Sequence, residues 1–416
     1  MRWGARSPAR VRTRRAPGGG RRVRSGRLRQ VSAWLWIALA ALAAWLWLLL
    51  GQGFFWRTDI TLPRRRDPER WPSVAVVVPA RDEAEVLPRS LPSLLTQDYP
   101  GRAEIFLVDD GSADGTGALA RRLATELGGL RLTVTSPGEP GRGWTGKLWA
   151  VRHGMALARE RTGADYLLLT DADIAHEPDS LRELVRAATT HDLDLVSQMA
   201  RLRVATFWER LIVPAFVYFF AQLYPFRWVN AGHRAAAAGG CALLRVAAAE
   251  RAGVPGSIRQ AVIDDVALAR AVRRSGGRIW LGLAERVDSV RPYPRLGQLW
   301  RMVSRSAYAQ LRHQPLLLVL TVAGLAVVYL VPPVATVAGL VTGEGALPAV
   351  GGAAWLIMAG SYLPMLRHYR QSWWWAPLLP VTAALYLLMT VDSAVQHGRG
   401  RGAWKGRTYG RPAPER

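Results

Sequence analysis

Ser73-Val-Ala-Val-Val-Val-Pro79, Ile105-Phe-Leu-Val108 and Tyr166-Leu-Leu-Leu-Thr170 are short apolar runs that decide the fold. Acidic residues follow each run: Asp82-Glu83, Asp109-Asp110 and Asp171-Ala172-Asp173. Short runs of Val, Ile and Leu that end in turn residues are typical of strands buried in a parallel sheet. Because open α/β sheets bind ligands at the carboxyl ends of their strands, we expect the carboxylates to converge there. Converging carboxylates repel one another, which indicates a divalent metal carrying a phosphorylated ligand.

Strands and helices alternate through residues 72–314. The pattern predicts helices at residues 85–95, 114–127 and from 144 to about 161. It predicts further strands at residues 130–135, 194–198 and 278–281. Single helices between strands are typical of right-handed crossovers and a parallel sheet. The predicted fold class is therefore α/β, with a Rossmann-like, mostly parallel sheet and additional transmembrane helices.

The charge of the 416-residue chain is +24, and it is unevenly distributed. Residues 1–30 contain eleven arginines and no acidic residue, and we expect them to be a disordered basic tail. Other basic residues lie beside apolar segments, as they do at anionic lipid headgroups. No nucleic-acid-binding motif accompanies the charge, so nucleic acid is not an expected partner. The single cysteine, Cys241, excludes an internal disulfide and a cysteine metal cage.

Four apolar blocks are long enough to span a bilayer. The first covers residues 31–56, and residues 315–394 contain the other three, at 316–341, 346–366 and 373–391. Two aromatic or amphipathic segments, 206–226 and 298–312, are predicted to lie in the membrane interface. Residues 395–416 form a second basic tail.

The ordered set of acidic motifs, with Asp264-Asp265 and Gln298-Leu-Trp-Arg301 downstream, resembles the family 2 glycosyltransferases. The flanking membrane helices make the likeness greatest to the hopene-associated members of hopanoid pathways. The resemblance covers residues 71–314 and implies a catalytic domain that binds a nucleotide-diphospho-sugar. It also implies Mg²⁺ or Mn²⁺ as cofactor and direct, inverting transfer.

The resemblance implies donor-binding roles for several of these residues. Asp171 and Asp173 would hold the metal, with Asp171 also contacting the donor; the alternative is a solvated turn that caps a helix. Glu83 and Asp110 would contact the nucleoside, although helix N-capping is a common use of such residues. Lys147 would bind the diphosphate, and an ordinary surface lysine is the alternative.

Asp264-Asp265 matches the family's acidic pair, whose second member is the general base. A carboxylate beside the reacting bond can deprotonate an acceptor hydroxyl, so Asp265 is the predicted base and Asp264 its catalytic partner. Capping of the following helix is the alternative. Arg301 would stabilise the leaving diphosphate and Gln298 would contact the donor; an ordinary arginine on a helix surface is the alternative for Arg301. Met302 stands where the family motif has Trp, which argues against a processive polymerase.

Gly239 and Gly240 resemble the small-residue segment that lines the family's acceptor pocket; a tight turn is the alternative. The expected partners are a nucleotide-diphospho-sugar donor, a lipid acceptor of the hopanoid or polyprenoid class, and the membrane. A polyprenyl-phosphate sugar transferase or polysaccharide synthase is the alternative enzyme. A non-catalytic membrane assembly subunit that retains the fold is the alternative outside enzymes.

The expected location is the bacterial inner membrane with a cytoplasmic catalytic domain, because nucleotide sugars are made in the cytoplasm. Four full crossings then place both basic tails on the opposite face, against the positive-inside tendency. Three explanations stay open: residues 1–30 are not translated, one apolar block is re-entrant, or substrate access outweighs the charge rule.

Overall fold

The computed structural model describes residues 21–399 and two short strands at 403–404 and 407–408, with side chains from residue 33 to residue 399. Residues 1–20 of the predicted basic tail, and most of the predicted tail at 395–416, lie outside the described residues. The backbone of residues 21–30, which the sequence predicts as tail, belongs to the first helix.

One mixed sheet of eight strands forms the centre of the α/β domain. In chain order, the strands are β1 Val74–Ala80, β2 Ala103–Asp109, β3 Arg131–Thr135, β4 Tyr166–Thr170, β5 Ile174–His176, β6 Leu195–Arg201, β7 Cys241–Arg245 and β8 Ile279–Ser289. Their spatial order is β3-β2-β1-β4-β7-β6-β8-β5. The pairs β2/β3, β1/β2, β1/β4 and β6/β8 are parallel, whereas β7 runs against both neighbours and β5 against β8. The predicted α/β class is confirmed, with a mixed sheet.

Strand β1 shows why these apolar runs form central strands. Every residue of β1 is buried. Val74, Val76 and Val78 pack into the core on one face of the sheet, and Ala75 and Val77 pack into the core on the other. A strand covered on both faces needs apolar side chains at consecutive positions.

Fifteen helices are described in this part of the chain. They are α1 Arg21–Gly51, α2 Leu87–Leu95, α3 Thr116–Leu127, α4 Gly146–Thr162, α5 Ser180–Thr190, α6 Phe207–Leu223, α7 Phe226–Asn230, α8 Val246–Arg251, α9 Asp264–Arg274, α10 Leu296–Ser304, α11 Ala307–Gln310, α12 Pro315–Leu325, α13 Val331–Thr342, α14 Ala346–His368 and α15 Leu379–Gly398. A π-helical segment, Ala326–Leu330, joins α12 to α13, and 3₁₀ segments occur at Gly256–Ile258 and Trp373–Leu378. Strands β9 Ala403–Trp404 and β10 Arg407–Thr408 form a separate pair.

Four helical segments are long and apolar enough to cross a membrane. They are Ala33–Gly51, Pro315–Thr342, Ala346–His368 and Trp373–Gly398, which correspond to the four apolar blocks of the sequence. Helix α1 ends at Gly51, before the predicted boundary at residue 56, because the chain turns at residues 52–56.

Helix α6 packs into the protein core, and its predicted position at a membrane interface stays a prediction. Its residues Ile212, Val213 and Val217 are fully buried. The Tyr218 hydroxyl lies 2.7 Å from the Ser361 hydroxyl of α14, and the Tyr386 hydroxyl of α15 donates to the Ile212 carbonyl at 3.2 Å. A helix this rich in apolar residues is buried in a protein core or in a membrane. Through α6, the α/β domain packs directly onto the C-terminal apolar helices.

Helix α10 is amphipathic, as the sequence predicts. Leu299 and Val303 are buried, whereas Arg301 is exposed. The Trp300 indole N–H donates to Asp392 Oδ2 of α15 at 2.8 Å. Helix α10 is thereby tied to an apolar helix, and its position at a membrane interface stays a prediction.

Candidate active site

The candidate site lies at the sheet edge where β1, β2 and β4 end. Strand β7 begins at the same edge, because Cys241 pairs with Thr170 in the antiparallel register. Strand β8 ends there as well, with Ser289 opposite Ile174 of β5. The antiparallel strand β7 thus brings Gly239 and Gly240, which precede it, to the carboxyl ends of the parallel strands.

Lys147 lies between two of the predicted carboxylates. Its Nζ is 2.9 Å from Asp171 Oδ1 and 3.1 Å from Asp264 Oδ2. Thr145 caps α4 by accepting from the Leu148 N–H at 3.4 Å, which fixes Lys147 in the first turn of the helix. Burial alone lowers the pKa of Lys147, but the two carboxylates outweigh it, so the pKa is raised and the amine stays charged. Lys147 is therefore a fixed cation within an acidic cluster.

Asp265 occupies a separate position in the same cluster. Its Oδ2 accepts from the Gly239 backbone N–H at 3.0 Å, and its Oδ1 accepts from the Val266 N–H at 2.7 Å. Burial, followed by the negative charge of Asp264, raises the pKa of Asp265 to about 7. A carboxylate with this pKa is able to accept a proton near neutral pH.

The two predicted acceptor-pocket glycines face different surroundings. A Cβ at Gly239 would lie 3.5 Å from Asp265 Oδ2 and 3.7 Å from Lys147 Nζ, so its open side faces the acidic cluster. A Cβ at Gly240 would lie 3.1 Å from the Ile174 side chain, inside the protein core. Gly239 therefore belongs to the site, while Gly240 packs against the protein core next to it.

A cleft adjoins the acidic cluster and has one polar and one apolar side. Its polar lining is Lys147, Asp171, Asp264 and Asp265. Its apolar lining includes Val151, Met155, Val254, Ile258 and Leu268. Apolar walls exclude water and strengthen the electrostatic interactions of charges at the mouth of the cleft.

Asp173 and Glu83 are brought together by an arginine that the sequence analysis did not identify. Arg291 Nε lies 2.9 Å from Asp173 Oδ2, and Arg291 Nη2 contacts Glu83 Oε2. The Ser289 hydroxyl also lies 3.3 Å from Asp173 Oδ2. Arg291 follows the end of β8 by two residues, but the sequence predicts that this strand ends at residue 281, so strand position did not mark Arg291.

The capping alternatives for Glu83 and Asp110 find no support. Helices α2 and α3 have Val86 and Gly115 at their N-caps, without a side-chain capping bond. Asp110 is buried, and its Oδ2 lies 3.6 Å from Arg81 Nη1. Both carboxylates are thus held at the edge of the sheet by arginines.

Gln298 and Arg301 do not line the cleft. Gln298 Oε1 accepts from the Arg295 backbone N–H at 3.0 Å, which closes the first turn of α10. The Arg301 side chain is exposed and makes no hydrogen bond or ion pair with the residues that the structure describes. Their predicted roles stay predictions.

The carboxylates of Asp171 and Asp173 are suitable ligands for a divalent metal. Within residues 33–399, no three His, Cys, Asp or Glu side chains are grouped as metal ligands. Asp171 and Asp173 each use one carboxylate oxygen in their ion pairs, with Lys147 and Arg291 respectively. Mg²⁺ commonly takes one or two protein carboxylates and completes its shell with phosphate oxygens and water. The second oxygens of these two residues meet that requirement.

Two curated relatives match part of the chain. A 4,4'-diaponeurosporenoate glycosyltransferase of Staphylococcus haemolyticus is 34% identical over 115 residues, which cover 28% of this chain and 28% of that protein. An undecaprenyl-phosphate mannosyltransferase of Micrococcus luteus is 32% identical over 127 residues, 30% of this chain and 48% of that protein. The chain thus spans less than half the length of each relative.

A solved structure shares the overall fold. The mannosyltransferase PcManGT from Pyrobaculum calidifontis, solved in complex with GDP-Man and Mn²⁺, has a TM-score of 0.54 and 20% identity. The alignment covers 86% of this chain and 99% of that one. Residues 75–252 also match the family model described as Glycosyl transferase family 2. The match runs from β1 through β7, so this part of the α/β domain is similar to glycosyl transferase family 2.

Proposed function

We propose that this chain is a membrane-bound glycosyltransferase that moves a sugar from a nucleotide-diphospho-sugar to a lipid acceptor, with inversion at the anomeric carbon. The arrangement around Asp265 carries the proposal. A carboxylate with a pKa of about 7 lies beside a fixed ammonium group, Lys147, in a partly apolar cleft. A base and a cation at one site are what displacement of a diphosphate by a hydroxyl requires.

The donor is proposed to bind along the carboxyl ends of β1, β2 and β4. Glu83 and Asp110, both buried there, would accept hydrogen bonds from the nucleoside. Lys147 would hold the diphosphate, and Arg301 on α10 is the candidate second cation for the leaving group. The neighbour of the same fold, solved with GDP-Man, supports a nucleotide sugar as the class of donor.

Asp171 and Asp173 are proposed to hold Mg²⁺ or Mn²⁺ together with the diphosphate. When bound, the ion neutralises part of the negative charge on the leaving diphosphate. Each of these aspartates has one carboxylate oxygen outside its ion pair, and carboxylate oxygens are ligands that Mg²⁺ and Mn²⁺ prefer. The Mn²⁺ in the structure of the Pyrobaculum neighbour is consistent with it.

The proposed reaction is a single displacement. Asp265 takes the proton from the acceptor hydroxyl as the hydroxyl oxygen bonds to the anomeric carbon. The bond from that carbon to the diphosphate oxygen breaks, and the electron pair leaves with the nucleoside diphosphate. This reaction uses one base and forms no covalent intermediate with the protein, and one displacement inverts the anomeric centre.

A lipid acceptor is proposed because the domain packs onto apolar helices that are long enough to cross a membrane. The resemblance of the chain to hopene-associated glycosyltransferases favours a hopanoid or related polyprenoid. The name of the Micrococcus relative favours a second candidate, a polyprenyl-phosphate sugar transferase. The surroundings of Asp265 argue against a non-catalytic assembly subunit, since such a subunit does not need a half-buried carboxylate of raised pKa.

The proposed location is the bacterial inner membrane, with the α/β domain in the cytoplasm, where nucleotide sugars are made. The four apolar helices support an integral membrane protein. The orientation rests on access to the donor.

Sugar transfer in nanodiscs tests the proposal. The purified chain receives radiolabelled UDP-, GDP- or dTDP-sugars with Mn²⁺, and either a hopanoid or undecaprenyl phosphate as acceptor. We expect label in the lipid extract with one donor and one acceptor class, and loss of that label after chelation of the metal. Label found only in free sugar, with every acceptor, would contradict the proposed function.

A further inference from the structure

We propose that Arg291 competes with the divalent cation for Asp173 and thereby sets the metal affinity of the site. The inference rests on the proposed function, since it concerns the cation that Asp171 and Asp173 would hold. It assigns a role to a residue outside the family motifs found in the sequence.

The contacts of Arg291 place it inside the donor site. Its Nε is 2.9 Å from Asp173 Oδ2, and its Nη2 contacts Glu83 Oε2. The two carboxylates come from different strand ends, Glu83 after β1 and Asp173 between β4 and β5. One guanidinium therefore joins a proposed metal ligand to a proposed nucleoside ligand.

The backbone around Arg291 is held independently of its side chain. The Val290 N–H donates to the Asp173 carbonyl at 2.8 Å, and Arg89 Nη2 donates to the Val290 carbonyl at 2.8 Å. Pairing of β5 with β8 ends at Ser289, next to this segment. A substitution of the Arg291 side chain is thus expected to leave the segment in place.

Competition follows from the charge and burial of the ion pair. The side chains of Arg291 and Asp173 are only 25% and 16% exposed, so solvent screens their attraction less than at a surface. A divalent cation that uses both oxygens of Asp173 must displace the guanidinium, and one that uses the other oxygen meets its positive charge nearby. In both cases Arg291 weakens cation binding.

As a consequence, tight binding of the metal should require that the nucleotide is bound as well. A diphosphate adds negative charge that offsets Arg291, so the cation should bind much more tightly with a nucleoside diphosphate than alone. Without Arg291, the cation should bind well by itself. The inference thus predicts that Arg291 increases the dependence of metal affinity on the nucleotide.

Mn²⁺ titration of the full chain in nanodiscs, followed by electron paramagnetic resonance of the free ion, provides the test. It is done with and without GDP on wild type, Arg291→Met, Arg291→Lys and Asp173→Asn. Arg286→Met is the matched control, because Arg286 lies on β8 and pairs with Asp179 at 3.0 Å, a residue outside the cluster. Melting temperatures confirm that each variant is folded.

We expect Arg291→Met to bind Mn²⁺ without nucleotide about tenfold more tightly than wild type, the effect of removing a competing charge worth ~1.4 kcal/mol. Arg291→Lys should lie closer to wild type, and Arg286→Met should match wild type. The tightening by GDP should be smaller in Arg291→Met than in wild type.

Two results would overturn the inference, and they differ in what else they exclude. If wild type binds Mn²⁺ and Asp173→Asn does not, but Arg291→Met binds equally or more weakly, Arg291 is no competitor and the proposed function stands. If neither wild type nor any variant binds Mn²⁺ with GDP present, the proposed metal site is wrong and the inference fails with it.

Discussion

Asp265 and the neighbouring Asp264 have different hydrogen-bond and ion-pair partners. Asp264 forms an ion pair with Lys147 at 3.1 Å, whereas Asp265 accepts from backbone N–H groups, including that of Gly239 at 3.0 Å. Burial and the like charge of Asp264 favour the protonated form of Asp265 and raise its pKa. This contrast explains why Asp265, and not Asp264, is suited to be the base.

The pH dependence of transfer should follow the charges around Asp265. Transfer requires its deprotonated form, so the wild-type rate should rise with pH through about 7. Asp264→Asn removes the like charge, lowers the pKa of Asp265 and should move the rise to lower pH. Lys147→Met removes a positive charge that lowers this pKa and should move the rise to higher pH. Profiles of kcat/KM from pH 5 to 9 measure both shifts.

Glu250→Gln is the control for Asp264→Asn, since Glu250 pairs with Arg159 on an exposed surface and both substitutions remove one negative charge. Its profile should match that of wild type. Shifts of Asp264→Asn and Lys147→Met in the same direction would contradict the assignment of Asp265 as base.

The sequence predicted the acidic site residues better than their cationic partners. Asp171, Asp264 and Asp265 follow recognisable motifs, and the structure gathers them around Lys147. Arg291 escaped prediction because the chain is rich in arginine and no motif separates it from the others. Which arginine reaches a carboxylate depends on the pairing of β5 with β8, which is a tertiary feature.

The Trp45 side chain of helix α1 makes a hydrogen bond to the backbone of the π-helical segment. Pro332 and Pro333 lack the N–H groups that would reach the Val328 carbonyl in an α- or π-helical pattern. The indole N–H of Trp45 donates to that carbonyl at 2.7 Å. Trp45 is fully buried, so the pairing satisfies a backbone oxygen that has no partner within its own helix.

Trp45→Phe should therefore destabilise the protein. The substitution leaves the Val328 carbonyl unsatisfied, which costs about 1 to 3 kcal/mol. It also removes part of the ring that packs edge-on against Tyr329. Thermal unfolding in detergent, monitored by circular dichroism, measures the effect as a lower melting temperature.

Trp47→Phe is the matched control, because Trp47 lies on the same helix and is 57% exposed. It should leave the melting temperature nearly unchanged. Equal melting temperatures for the two variants would show that Trp45 does not stabilise the π-helical segment.

Element boundaries were predictable where local pattern and burial agree. Strands β1 and β4 were found because their runs are apolar at consecutive positions. Strand β5 was missed because it has three residues and no local signature. Helix α6 was placed in the interface because its aromatic residues suit both environments, and only its contacts with α14 and α15 reveal its burial.

One hydrophobic core cluster contains residues of both the sheet and the apolar helices. Leu195 of β6 and Leu283 of β8 belong to the same buried cluster as Met358 of α14 and Met389 of α15. This continuity places the candidate site in a domain that packs firmly against the apolar helices. Hydropathy alone could predict the helices but not this packing.

Cysteine accessibility should establish the orientation of the domain. Cys241 is buried, so the wild-type chain gives a low background with a membrane-impermeant maleimide. Arg122→Cys on the exposed surface of α3 should react only after permeabilisation of spheroplasts, because we place the domain in the cytoplasm. Gly345→Cys, in the exposed turn between α13 and α14, should react in intact spheroplasts.

Both variants should react equally in detergent, which controls for local accessibility. Reaction of Arg122→Cys in intact spheroplasts would place the domain outside the cytoplasm. Protection of both residues in intact spheroplasts would show that Pro315–Thr342 does not cross the membrane completely.

The assignment of Asp265 as the base is tested most directly by sugar transfer in Asp265→Asn, measured together with donor binding. Asparagine keeps the size of the side chain and an oxygen that can accept from Gly239 N–H, but it cannot take the proton. We expect transfer to the lipid to fall by about 10²- to 10⁴-fold, while the Kd of the nucleotide sugar stays within about twofold of wild type. Transfer at the wild-type rate, with donor binding intact, would exclude Asp265 as the base.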